Sequence, residues 1–243
     1  MMTIKTLSAT FDIPLLPYQL PKWRGALAEH AGWDDERFHN HQGAKERVHY
    51  RYPSVCYRVQ EGKAALWAFE EGVTAIQDML LRSDGSLMMD SRTHRLRIDE
   101  FDIKDYPLSM SDIPQPYFLK NWLALNEDNF RTWDKLPSLT ARTAMLEQIL
   151  ASNIIAFAKA IKWQLPQRLE VSLLQIRSTH TVPHKGVPMV AFDVSFSANI
   201  TLPEGLGLGK AVSHGFGVVA PLVVKEDKKK RQWVKTKIRT VLA

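Results

Sequence analysis

His39 and His41 stand two residues apart in the stretch FHNH. Imidazole titrates near pH ~6.5, so at neutral pH one ring can take a proton while its neighbour gives one. In an extended segment, side chains at i and i+2 share a face, about 6.6 Å apart for a rise of about 3.3 Å per residue. That separation straddles one phosphodiester. On a helix the two rings would point to opposite sides, and Asn40 and Gly43 disfavour a continuing helix. RNA suits such a pair because its own 2′-hydroxyl is the nucleophile. One group must remove that proton and another must protonate the departing 5′-oxygen. Lys45 and Arg47 can hold the phosphate and its developing negative charge. Tyr50 is a further positioning candidate, although a strand tyrosine is commonly a core residue. By residue type alone, the pair also fits an exposed surface pair or part of a metal site. No third ligand-like residue follows closely, and His49 lies eight positions beyond His41.

A second feature lies far along the chain. Five of the twelve glycines fall in GLGLGKAVSHGFG, residues 205–217. It is no phosphate-binding P-loop, because Glu204 stands where the first glycine should be and Ala211 follows Gly209-Lys210. It is no dinucleotide fingerprint either, since the third glycine is missing and no helical pattern follows. What remains is a loop between strands. Gly207 and Gly209 can bring backbone N–H groups to a phosphate with no Cβ in the way. Lys210 adds a charge, and Ser213 and His214 add hydrogen bonds. The competing reading is a tight connection packed against the protein itself.

Composition bounds the rest. The chain has 243 residues and a formal charge of +6, a balance that favours anionic partners. The stretch KEDKKKRQWVKTKIR holds eight basic residues against two acidic ones. It reads either as a solvated terminus or as an RNA contact, and without it the charge is near zero. One cysteine, Cys56, excludes an internal disulfide and a multi-cysteine metal site, and it reads as a buried structural thiol. The N-terminus lacks the apolar core of a signal peptide. No apolar run reaches the roughly 18 residues of a membrane span. A cytoplasmic, membrane-free protein is expected.

The elements that must position these residues follow from periodicity. Residues 3–11 read as a strand and 20–32 as a helix ended by Gly32. VHYRYPSVCYRV and AALWAF form a hairpin about the turn EGK. EEGVTAIQDMLLRS is a short helix, and SRTHRLRIDEFDI a strand. This order is that of a ferredoxin-like unit. Pro107, Pro114 and Pro116 mark a boundary. A strand at YFLKNWLAL follows, and then a long helix at 139–163, with Leu146, Ile149, Leu150, Ile154, Phe157 and Ile161 at steps of three and four. Two strands separated by HTVPHKG, the glycine loop and a final strand complete a looser copy. The expected fold class is α+β: tandem ferredoxin-like (RRM-like) domains with a C-terminal glycine-rich loop. The expected domains are 1–104 with the histidine pair, 105–224 with the glycine loop, and a basic tail at 225–243.

LGLGKAVSHGFGVV resembles the C-terminal glycine-rich loop of the RAMP superfamily, which includes the CRISPR-associated Cas-six endoribonucleases that process precursor crRNA. YPSVCYRVQEGKAALWAFEEGVTAI, WLALNEDNF, ASNIIAFAKAI and FHNH are similar to the b-type branch. Together these stretches cover most of residues 38–219. Trp67 and Ala68 stand where smaller residues are expected. The resemblance implies metal-independent cleavage of CRISPR repeat RNA with His39 and His41 as the catalytic pair. The products would carry 2′,3′-cyclic phosphate and 5′-hydroxyl ends, with no cofactor required. It implies repeat RNA or crRNA as partner, and leaves open a homodimer and other CRISPR effector subunits. Two alternatives stand beside it. One is a RAMP-type RNA-binding subunit without catalysis. The other is a small-molecule enzyme on the same scaffold, which would need a deep apolar pocket near the histidines.

Overall fold

The computed structural model describes residues 2–32, 35–38 and 52–222. Strand β1 (Met2–Pro14) buries residues on both of its faces and leads into helix α1 (Leu20–Ala31). Pro21 sits in the first turn of α1, and Gly32 ends it at φ 95°, a backbone state that a side chain would resist. β2 (Val55–Gln60) and β3 (Lys63–Phe69) form the expected hairpin, and α2 (Glu71–Arg82) follows. β4 (Ser86–Met89) and β5 (Arg92–Arg95) make a separate two-stranded ribbon, and β6 (Ile98–Leu108) returns to the sheet. The first sheet has the order β2-β3-β1-β6, all antiparallel. This is the ferredoxin arrangement with one added ribbon.

The second half repeats the pattern. β7 (Met110–Trp122) is followed by α3 (Glu127–Asp134) and α4 (Leu139–Ala160). The Ser138 hydroxyl caps α4 by accepting the Ala141 N–H at 3.1 Å, which satisfies one free donor of the first turn. β8 (Val171–His184), β9 (Val187–Ile200) and β10 (Val218–Pro221) complete a sheet ordered β10-β7-β9-β8. The equivalent strand order appears in both sheets. In the second, residues 201–217 stand where the first has α2, and their only helical element is one 3-10 turn, Val212–His214.

Four expectations are corrected. The segment 91–103 is not one strand. It pairs with β4, breaks where Leu96 N–H donates to Gly85 O, and resumes as β6. Described β2 begins only at Val55, because Tyr52 and Pro53 are irregular. Pro107, Pro114 and Pro116 lie inside β6 and β7, where the turn is Ser109 instead. They are tolerated there because β6 is an edge strand and β7 breaks register between Met110 and Gln115. HTVPHKG is mostly strand: only Lys185 and Gly186, at φ 51° and 77°, make the turn. Two positive φ values match the twist of a two-residue hairpin. Helix α3 had no counterpart in the sequence reading.

Two cores hold these layers. Leu7, Phe11, Trp23, Leu27, Tyr57, Val73 and Ile76 pack α1 and α2 onto one face of the first sheet. The other face of that sheet, through Ile4, Cys56, Trp67 and Phe69, joins a larger core with α4 and the second sheet. Phe69 meets Phe157 of α4 edge-on, with centroids 5.7 Å apart. Cys56 is fully buried, and burial pushes its thiol up to about 11. Among the described residues no helix is long and apolar enough to cross a membrane. Because Phe157 bridges both halves, Phe157→Ala should cost about 3–5 kcal/mol, and chemical unfolding should remain a single transition. Two resolved transitions in the wild-type chain would show that the halves fold separately.

Candidate functional site

The glycine stretch fills the seam between the two sheets. A Cβ on Gly205 would fall 2.5 Å from the Trp67 indole of β3, and one on Gly209 2.7 Å from the Trp122 indole of β7. A Cβ on Gly207 would meet Val212 at 2.1 Å, and one on Gly217 the Leu208 carbonyl at 1.8 Å. The space left by the missing side chains is therefore filled by protein. Trp67, large for its position by resemblance, occupies the volume that Gly205 vacates.

Backbone bonds tie the loop to both halves. Leu208 N–H donates to Gly217 O at 2.7 Å, Gly217 N–H to Asn121 O at 3.0 Å, and Lys210 N–H to Leu123 O at 3.1 Å. The Tyr52 hydroxyl donates to Gly207 O. Arg58 Nη2 donates to Gly205 O at 2.6 Å. Arg58 is 9% exposed, and its Nε and Nη1 lack a hydrogen-bond partner among the described residues. Burial holds its pKa below the usual guanidinium range.

At the loop's far end the β8–β9 hairpin folds over the 3-10 turn. The His184 ring stands edge-on to His214 at 5.3 Å and to Phe216 at 5.9 Å. Burial first, and then the charges of Arg24, His184 and Lys185, push the His214 imidazole down to about 4. Burial, Lys185 and Lys210 lower His184 in the same way. The charges that lower these two rings are positive, and among the described residues Arg24, Lys185 and Lys210 make this corner a cationic cluster that favours an anion.

Arg24 also lies over the Tyr57 ring, 5.9 Å from its centre, and Tyr57 O–H donates to Phe38 O at 2.9 Å. Phe38 is 2% exposed and immediately precedes His39. The Tyr57 carbonyl lies 3.2 Å from where a Cβ on Gly215 would stand. The described residues stop at Phe38, whose carbonyl Tyr57 holds, and resume at Tyr52, whose hydroxyl is bonded to Gly207 O.

His39, His41, Lys45, Arg47 and Tyr50 lie outside the described residues, as do residues 225–243. Of the remaining candidates, Gly207 is buried within the seam and Gly209 half-buried. Lys210 is exposed, and Ser213 and His214 are half-buried beside the cationic cluster. Sequence reading missed Arg24, Tyr52, Arg58, His184 and Lys185. His184 and Lys185 stood in a stretch taken for a turn, and no spacing rule links position 184 to 214.

Residues 2–106 match the Cas6b N-terminal domain and residues 110–222 the Cas6b C-terminal domain. A crystal structure of Cas6b superposes with a TM-score of 0.80 at 22% identity, covering 91% of this chain and 100% of that one. A second, described as a CRISPR RNA processing endoribonuclease Cas6b, gives 0.70 at 19% identity, covering 91% and 100%. An uncharacterized protein of Methanocaldococcus jannaschii is 29% identical over 125 residues, 51% of this chain and 80% of its own length.

Two measurements test this geometry. Gly209→Ala places a Cβ against Trp122 at φ +96° and should lower unfolding free energy by about 2–4 kcal/mol without any ligand. An unchanged denaturation midpoint would mean that the loop is cleared for something else. The second concerns pH. The native fold keeps His214 neutral down to about pH 4, whereas the unfolded chain protonates it near pH ~6.5. Stability should therefore fall as pH drops from about 6.5 toward 4. His214→Gln should lose less stability over that window, measured by denaturant unfolding. Parallel losses would contradict the buried, neutral imidazole.

Proposed function

The chain belongs to the Cas6b family, and from that premise we propose that it is a metal-independent endoribonuclease that cuts CRISPR repeat RNA to mature crRNA. Residues 1–104 supply the chemistry, and residues 105–224 supply the loop that holds the strand. His39 and His41 act as base and acid. One imidazole takes the 2′-hydroxyl proton as the O2′–P bond forms. The P–O5′ bond breaks, and the other imidazole delivers a proton to O5′. The ends left are a 2′,3′-cyclic phosphate and a 5′-hydroxyl. Lys45 and Arg47 hold the phosphate, and Tyr50 positions it. Gly209, Lys210, Ser213 and His214 contact the RNA, Gly209 through its backbone alone, while Gly207, buried in the seam, sets the path of the loop that presents them.

The observation that supports this reading best is the setting of the glycine loop. Tyr52, the first described residue after the histidine segment, donates to Gly207 O, and Arg24, Lys185 and Lys210 supply the positive charge felt at His184 and His214. A phosphate bound in that corner would meet cations from α1, the β8–β9 hairpin and the glycine loop at once. Fixed charge of this kind is what a pentavalent phosphorane needs.

The test uses the repeat RNA of the protein's own locus in excess chelator, beside the same RNA carrying one deoxy sugar at the cut. The wild-type chain should cleave the first and leave the second intact. His39→Ala and His41→Ala should each slow cleavage by at least about 100-fold while RNA affinity changes little. Cleavage of the deoxy substrate, or full activity in either variant, would contradict the mechanism. Binding by the wild-type chain with no cleavage at all would favour the non-catalytic RAMP reading instead.

A further inference from the structure

One face of the second sheet carries an aromatic side chain that the core does not use. Tyr117 and Leu119 of β7 point into the core at 6% and 0% exposure. Phe118 between them points the other way, on a central strand. It pairs with Ser195 of β9 on one side and Ala220 of β10 on the other. The guanidinium of Arg177 lies over its ring, 5.1 Å from the centre, and Arg177 Nε donates to Ser195 Oγ at 2.8 Å. Lys120, two residues along the same face of β7, is exposed. Neither cation has a carboxylate partner among the described residues. Asp193, on the same face, is already engaged: Oδ1 accepts Asn121 N–H at 2.7 Å and Oδ2 the Ser178 hydroxyl at 2.8 Å. Around Phe118 the polar residues Gln175, Ser195 and Ser197 lie in register, beside the small apolar Pro116, Val218 and Ala220.

We propose that this open face is a platform for an unpaired RNA strand, with one base stacked on the Arg177–Phe118 pair and phosphates met by Arg177 and Lys120. The inference rests on the RNA-processing reading above and extends it to a surface away from the histidine segment. An aromatic ring on a central strand of a four-stranded ferredoxin-like sheet suits base stacking, because every base has a π-face. The two cations without a carboxylate partner, with serines and a glutamine beside the ring, suit a phosphodiester chain. The surface also leads toward the site. β8 runs from Arg177 past His180, whose Nε2 meets Asn121 Oδ1 at 2.9 Å, to His184 in the cationic cluster. That run is roughly 20 Å at strand rise.

The experiment measures binding of the full chain to repeat RNA with unpaired flanks, and to the same hairpin trimmed of them. Phe118→Ala should weaken binding of the flanked RNA about tenfold and leave the trimmed RNA unaffected. Phe118→Leu, which keeps the apolar bulk and protects the fold, should show a similar loss. Arg177→Gln should weaken binding and reduce the salt dependence by about one unit of slope. Ultraviolet crosslinking of flanked RNA should recover the peptide that contains Phe118. Unchanged affinity in Phe118→Leu, or equal losses on both RNAs, would overturn the platform. A shift in the sedimentation of the free chain in these variants would do so as well, because it would assign the face to a second copy. Wild-type chain that fails to bind either RNA would overturn the functional reading and the platform together. Binding by the wild type with an indifferent Phe118→Leu would overturn the platform alone.

Discussion

A loop whose glycines each meet an indole, Gly205 against Trp67 and Gly209 against Trp122, is the constraint from which the rest of this molecule follows. Trp67 comes from the first sheet and Trp122 from the second, and the glycines at 205 and 209 are what let both rings approach the same loop. Packing at protein density tolerates no extra methyl in such a seam. The two ferredoxin-like halves therefore share the larger of the two cores, and the loop cannot shift without disturbing both sheets. Tyr52 and Arg58 reinforce this from the first half by donating to the carbonyls of Gly207 and Gly205.

The seam also explains why a buried arginine is kept. Arg58 holds a glycine carbonyl with one of its five donors while Nε and Nη1 go without a partner among the described residues. A cation buried in this way is a net cost to folding. What it supplies is position: it fixes the start of the loop against β2, the strand that also carries Tyr57 and so reaches Phe38. The neutral, half-buried His214 stands at a similar cost within the cationic corner, since Arg24, His184 and Lys185 all oppose its protonation.

Much of the fold was legible in the residue pattern, and the exceptions have physical reasons. The α4 positions Leu146, Leu150, Ile154 and Phe157 repeat at helical steps and are all fully buried. Gly32 stops α1 as its backbone angle requires. The β8–β9 turn was misplaced because Pro183 and Pro188 suggested a break, yet they pair across a hairpin end where a missing N–H costs little. The β4–β5 ribbon was lost because four-residue strands leave too short an alternation to see. For the site, type and spacing pointed to the glycine stretch and to a histidine pair. They could not reveal what the glycines face, since Trp67 and Trp122 are distant in sequence from the loop they enclose. Nor could they join Arg24, His184 and His214, which meet only after three separate elements have packed.

The central claim is that the glycine loop holds the segment carrying His39 and His41 in working order. Tyr52→Phe tests it most directly, because it removes only the hydroxyl that donates to Gly207 O. With repeat RNA at saturation, the single-turnover cleavage rate should fall at least several-fold. The unfolding free energy should change by no more than the roughly 1 kcal/mol of one hydrogen bond. A cleavage rate equal to that of the wild-type chain would contradict the account.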